Sequence, residues 1–167
     1  MKYAWVLLFT FFLFGCSSPE PEDLRNFHVQ VFWRGVYSAD YGQESSGDDQ
    51  ILSIRGFNSP PLLGEESHKV PLRLGTRFGA LFQVMGYPRG AVSTLTTKVI
   101  FPQPGMRSKS GELEKGIART FLVKVGAYGL LGIQMNSWDN LLPGTWRFEI
   151  WSGEDKLTEE VFSVEEP

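Results

Sequence analysis

Trp146, Phe148 and Ile150 alternate with Arg147, Glu149 and Trp151. A period of two sends successive side chains to opposite faces, which a helix with its 3.6-residue repeat cannot do, so this run is a strand with one buried face. Ser152-Gly153-Glu154-Asp155 makes a turn, and Leu157 to Val164 returns with Phe162 and Val164 inward. The pattern recurs upstream. Phe27, Val29, Val31 and Trp33, on the expected core face, alternate with outward His28, Gln30, Phe32 and Arg34, before a kink at Gly35 and a short extension through Val36-Tyr37. Phe78, Ala80, Phe82 and Val84 alternate up to the turn Gly86-Tyr87-Pro88-Arg89-Gly90. Ala91 to Phe101 follows with Leu95, Val99 and Phe101 on one face, and the two runs predict a hairpin. Ile117, Phe121, Val123 and Val125 alternate around an interrupting Arg119, and Leu130 to Met135 reads as a short strand.

Gln50 to Gly56 and Lys69 to Leu74 are two further short strands. Ser38 to Asp49 and Pro102 to Gly116 are polar loops. Asn58 to Glu66, with Pro60-Pro61, is loop or sheet edge, because proline cannot donate to a ladder. Ser137-Trp138-Asp139-Asn140 reads as a turn or a single helical turn. About seven to nine short strands at this spacing predict an all-β fold, an immunoglobulin-like antiparallel β-sandwich over residues 27–167. A small closed β-barrel is the alternative.

The N-terminus obeys different rules. Lys2 precedes an apolar run from Tyr3 to Phe14, interrupted only by Thr10. A spanning helix needs about 20 apolar residues, so this run is short for one. Its length, charge placement and following small residue fit a secretory signal peptide. The only Cys of the chain, Cys16, stands directly after Gly15 in Leu13-Phe14-Gly15-Cys16-Ser17. That arrangement resembles the lipobox of a bacterial lipoprotein, with Phe14 bulkier than the residue usual at its position. The resemblance implies cleavage between Gly15 and Cys16 and a diacylglycerol thioether on the Cys16 sulfur, making the membrane a partner through that anchor. It also implies a cell-envelope address, and Ser17 after the lipidated position favours the outer membrane, facing the periplasm. An uncleaved apolar anchor, or a secreted protein with an unmodified thiol, are the other readings. A single Cys excludes an intramolecular disulfide. Residues 1–15 are thus expected to be the signal peptide, and 16–26 the lipidated Cys with a polar, proline-bearing tether.

Removing those 15 residues from 167 leaves 152, one domain's worth. Losing Lys2 from 16 basic residues leaves 15 against 19 acidic ones, a net charge of −4. That balance shows no basic footprint and argues against nucleic acid as a partner.

Gly35-Val36-Tyr37, the segment Phe78 to Pro104, and Leu142-Pro143-Gly144-Thr145-Trp146 running on through Val164 together resemble an uncharacterised bacterial domain-of-unknown-function family, DUF3859. The resemblance implies an immunoglobulin-like envelope domain and carries no chemistry with it. Pro-Gly-x-Trp also has a structural reading, in which proline sets φ, glycine turns the chain and tryptophan fills the core.

Reaction centres are not visible. The two histidines, His28 and His68, fall on an outward strand position and at a loop end. There is no Gly-x-Ser-x-Gly elbow. Two isolated histidines and no second cysteine fit none of the usual structural zinc patterns, and the acidic pairs lack EF-hand spacing, so no metal or other cofactor is expected. A Ca²⁺ site in the loop from Ser38 to Asp49 is a minor alternative. Trp138, Trp151, Arg107 and Lys109 are the candidate partner contacts, since exposed tryptophan stacks on sugars or anchors proteins and basic loops meet anionic groups. The expected function is a non-catalytic envelope module, either binding an unknown envelope protein or polymer or purely structural. The alternative is an envelope hydrolase whose site the sequence does not display.

Overall fold

The computed structural model describes residues 25–38, 63–108, 110–137 and 141–166. The described chain is all β. One sheet contains β1 (Arg25–Tyr37), β2 (Leu63–Glu66), β4 (Arg77–Tyr87) and β9 (Tyr128–Gln134), in the order β2-β1-β4-β9. The other contains β3 (Lys69–Pro71), β5 (Val92–Ile100), β8 (Gly116–Lys124), β10 (Gly144–Ser152) and β11 (Asp155–Glu165), in the order β3-β11-β10-β5-β8. A two-rung ladder, β6 (Met106–Arg107) with β7 (Leu113–Glu114), sits in the excursion expected to be a loop. The two main sheets face each other as an open sandwich and do not close into a barrel.

The expected inward faces meet between the sheets. Phe78, Phe82 and Val84 of the first sheet pack on Leu95, Val99, Trp146, Phe148, Ile150, Phe162 and Val164 of the second. Phe78 is the hub of an aromatic nest. Its ring lies 5.7 Å from Trp146 edge-on, 5.4 Å from Phe148 stacked and 5.3 Å from Phe162. Edge-to-face and offset pairs add about 0.5–1.5 kcal/mol each beyond the area they bury. The indole Nε1 of Trp146 donates to the Leu142 carbonyl at 3.0 Å, so burying it leaves no orphan donor.

Three expectations are corrected by this arrangement. The runs 78–84 and 91–101 are not a hairpin. β4 pairs with β1 and β9, whereas β5 pairs with β8 and β10, and the turn between β4 and β5 crosses from one sheet to the other. Both runs do bury the expected face, and they bury it against each other.

Trp33 is the second correction. Val31 is opposite Phe82 and Trp33 is opposite Leu81, so Phe32 is an extra residue on β1. Such a bulge reverses the side-chain alternation beyond it. Trp33 is therefore buried on the outer face of its sheet, with Leu81 and Leu130, and Tyr37 and Leu63 pack against them.

The third correction follows from the same bulge. Arg34, expected to point outward, turns between the sheets. Its Nη1 donates to Glu160 Oε2 on β11 at 3.3 Å, joining the two layers. Its Nε lies 3.3 Å from Glu66 Oε1 but is not aligned to hydrogen-bond it.

Candidate functional site

Trp151 lies on the outer face of its sheet, opposite in direction to Trp146, as expected, but it is not an open platform. Its Nε1 donates to Glu149 Oε2 at 2.8 Å, and Lys98 Nζ sits 4.0 Å from the ring centroid. Lys156 Nζ lies 5.6 Å from the same ring, donates to Glu149 Oε1 at 3.2 Å and also bonds Glu159. Glu149 is only 6% exposed, yet both its oxygens are partnered. Edge and face of the indole are thus committed to neighbouring charges.

The electrostatics of this cluster are those of a structural network. The Glu159 hydrogen bond, followed by that of Glu149, raises the Lys156 ammonium above its ordinary pKa. The Lys156 bond holds the Glu159 carboxyl below its own. Both shifts move away from neutrality, whereas a general acid or base works best with a pKa near the operating pH.

Arg107 is exposed in β6, and its Nη1 donates to the Gly111 carbonyl at 3.0 Å, tying the excursion to itself. Cys16, Gly15, Lys109 and Trp138 lie outside the described residues, as do the loop from Ser38 to Asp49 beyond its first residue and the strand expected over Gln50 to Gly56. His28 and His68 are both exposed, with Nδ1 2.7 Å from the Asn26 carbonyl and 2.8 Å from the Val161 carbonyl respectively. They sit on different elements. Among the described residues, no three His, Cys, Asp or Glu side chains gather as a metal ion would require.

A different region groups exposed side chains. At the end of the sandwich where β1 begins, β8 and β9 belong to opposite sheets and separate beneath their connecting turn. A cleft of about 260 Å³ opens there. Phe82 and Val84 form its buried floor, half-buried Phe121 and Val123 its wall, and exposed Leu122, Lys124 and Tyr128 its rim. Gly129 is required at this point, because a Cβ there would stand 2.5 Å from the Phe82 ring. Two turns are stitched together above the cleft. Gly90 N donates to Val125 O at 2.9 Å, Val125 N to Ala91 O at 2.8 Å, Gly126 N to Val84 O at 2.7 Å, and Val84 N to Ala127 O at 2.9 Å. The Arg89 side chain packs on Gly126, which holds a φ of +93° that favours glycine. This corner escaped the sequence reading. Its only signal was Leu122, an apolar residue at an outward position between Phe121 and Val123.

The fold has a solved counterpart. An immunoglobulin-like protein from Pseudomonas aeruginosa superposes with a TM-score of 0.58 over 82% of this chain and 96% of its own, at 20% sequence identity. The likeness is one of fold. Two enzymes match more weakly. An alkylpurine DNA glycosylase from Pseudomonas fluorescens gives a TM-score of 0.36 at 12% identity, over 58% of this chain and 27% of its own. A β-D-glucoside glucohydrolase from Trichoderma reesei gives 0.35 at 11% identity, over 84% of this chain and 19% of its own. At those scores neither informs the site. No family model matches the sequence, and no curated protein matches it. The immunoglobulin-like sandwich is therefore established by the strand topology and by this counterpart together.

Proposed function

We propose that this protein is a lipid-anchored module of the bacterial cell envelope, held by Cys16 at the outer membrane and facing the periplasm, and that it binds a partner protein or polymer instead of catalysing a reaction. The observation that carries this reading is the placement of the only cysteine directly after Gly15 at the end of a short apolar run. Two or more acyl chains anchor stably, since each buried CH₂ contributes about 0.8 kcal/mol. The tether that follows joins a sandwich whose charged cluster around Trp151 is internally satisfied.

Intact mass spectrometry of the protein from its native membrane tests the anchor. The expected mass is that of residues 16–167 plus a diacylglycerol and a further acyl group, and Cys16→Ala abolishes both the added mass and detergent partition. An unchanged mass and partition after that substitution, or after inhibition of the lipoprotein signal peptidase, refutes the reading. Crosslinking from the intact domain then identifies the partner.

A further inference from the structure

Four exposed apolar side chains stand at the end of the sandwich where β1 begins. Leu122 is 73%, Tyr87 68%, Val92 56% and Tyr128 47% exposed. Tyr87 and Tyr128 point outward from one sheet and Val92 and Leu122 from the other, and Leu122 and Tyr128 converge at the rim of the cleft. Exposed apolar side chains clustered at one end mark an interaction surface. Val92 is opposite Lys124 and Thr94 is opposite Leu122, so Val92, Leu122 and Lys124 share one outer patch. Leu122, Lys124 and Tyr128 share the rim of the cleft. Arg89 lies over the adjoining turn. Neither stretch 85–93 nor stretch 122–128 contains an acidic residue. The hydrogen bonds between the two turns make the corner a firm platform.

Assuming the lipid anchor proposed above, we infer that this corner is a membrane-docking surface that rests on a phospholipid bilayer. Tyrosines at such a surface place an apolar ring in the acyl boundary and a hydroxyl among the headgroups. Arg89 and Lys124 are positioned to meet phosphate oxygens. Chain length rules out the inverted orientation. The eight residues Ser17 to Leu24, between Cys16 and the start of β1, span roughly 28 Å at full extension. β1 has 13 residues and runs the length of the sandwich, roughly 40 Å at the rise of a strand. A domain standing on its opposite end would hold Asn26 beyond the reach of the tether, whereas Arg25 is opposite Tyr87, at the exposed corner. Acids are also found at this end. Glu154 lies on the β10–β11 turn and Asp155 opens β11, across the sheet from β8, and the tether carries Glu20, Glu22 and Asp23. The apolar side chains therefore lead the contact, and the two cations act as local phosphate ligands.

The test uses the full lipidated chain in vesicles of phosphatidylethanolamine and phosphatidylglycerol. Leu122→Cys and Val161→Cys are each labelled with a bimane fluorophore, Cys16 being blocked by its lipid, and quenching by headgroup-nitroxide phospholipid is recorded. Val161 is exposed on β11, toward the other end of the sandwich. The expected result is quenching at position 122, background at 161, and loss of the 122 signal when Arg89→Glu and Lys124→Glu are combined. Equal quenching at the two positions, or none at 122, overturns the docking surface. Protection of the 122 label in phospholipid-free detergent, with a doubled mass, assigns the corner to a second copy of the chain and overturns it as well. Protein that fails to stay with the vesicles at all refutes the anchor, a separate outcome.

Discussion

The outer faces of the two sheets are built on opposite principles. On the β2-β1-β4-β9 sheet, Trp33, Leu81 and Leu130 form a second apolar cluster, so the central stretch of β4 is buried on both sides. On the β3-β11-β10-β5-β8 sheet, Glu149, Trp151, Lys156 and Glu159 form a charged network that meets water. Each face carries a tryptophan, yet only Trp33 supports a hydrophobic layer. A single inserted residue, Phe32, creates the difference by redirecting Trp33 outward and Arg34 inward.

The sharpest way to break this contrast is to truncate both tryptophans. Removing a buried aromatic side chain costs about 3–5 kcal/mol through lost burial and the cavity left behind. Trp33→Ala is expected to fall in that range by urea denaturation, even though it lies outside the main core. Trp151→Ala is expected to cost about 1 kcal/mol, mostly from Glu149 losing one of its partners. Similar losses at the two sites would mean that the outer faces do not differ in kind.

Legibility in the sequence divides along the same line. Trp146, Phe148, Ile150, Phe162 and Val164 were placed correctly because β10 and β11 are joined by a short turn, and their alternation is unbroken through most of the pairing. The alternation of Phe78, Phe82 and Val84 predicts their inward face but not the partner of β5. A Gly-Pro turn can fold strands side by side or carry them across a sandwich, and only packing decides which. The bulge at Phe32 had no marker, since neither glycine nor proline sits there. The corner around Leu122 and Tyr128 stayed hidden because its members come from different strands and converge only through the crossing turns.

A second expectation concerns Tyr37, which packs with Leu63 against the Trp33 cluster. Burial raises its hydroxyl to about 12 from the ordinary tyrosine value of 10.0, against a smaller opposing pull from the Arg77 charge. The folded state therefore holds this proton more tightly than the unfolded state does. The resulting stabilisation is complete below pH 10 and is lost as the pH rises toward 12. Two pKa units correspond to about 2–3 kcal/mol. Tyr37→Phe should make stability flatter across that window, measured against a Tyr128→Phe control on the exposed corner. A loss that is equally steep in both variants would separate Tyr37 from the second cluster.

Between the two layers, Arg34 and Glu160 test the other consequence of the bulge. Glu160→Gln leaves the inward guanidinium with a weaker partner and is expected to destabilise by about 1–3 kcal/mol, the lower end reflecting the partial exposure of Arg34. Replacing both groups, as Arg34→Met with Glu160→Leu, should recover most of that loss, because a buried pair is costly to break but not to substitute. Coupling in a double-mutant cycle is the measurement that decides it.

The smallest effect belongs to the charged face. Glu159 is held below its ordinary pKa by Lys156, so its contribution is present above the unfolded carboxylate range and fades as pH falls. Lys156 is held above its ordinary value, so its contribution is present below the unfolded amine range and fades as pH rises. Each group lies in solvent, where screening leaves little net gain. Glu159→Gln should therefore shift the urea midpoint only slightly at neutral pH and not at all in high salt, whereas the Trp33→Ala loss should be insensitive to salt. A Glu159→Gln effect as large as that of Trp33→Ala would show the network to be a second cluster in charged form, and the two faces would then be equivalent supports for the sandwich.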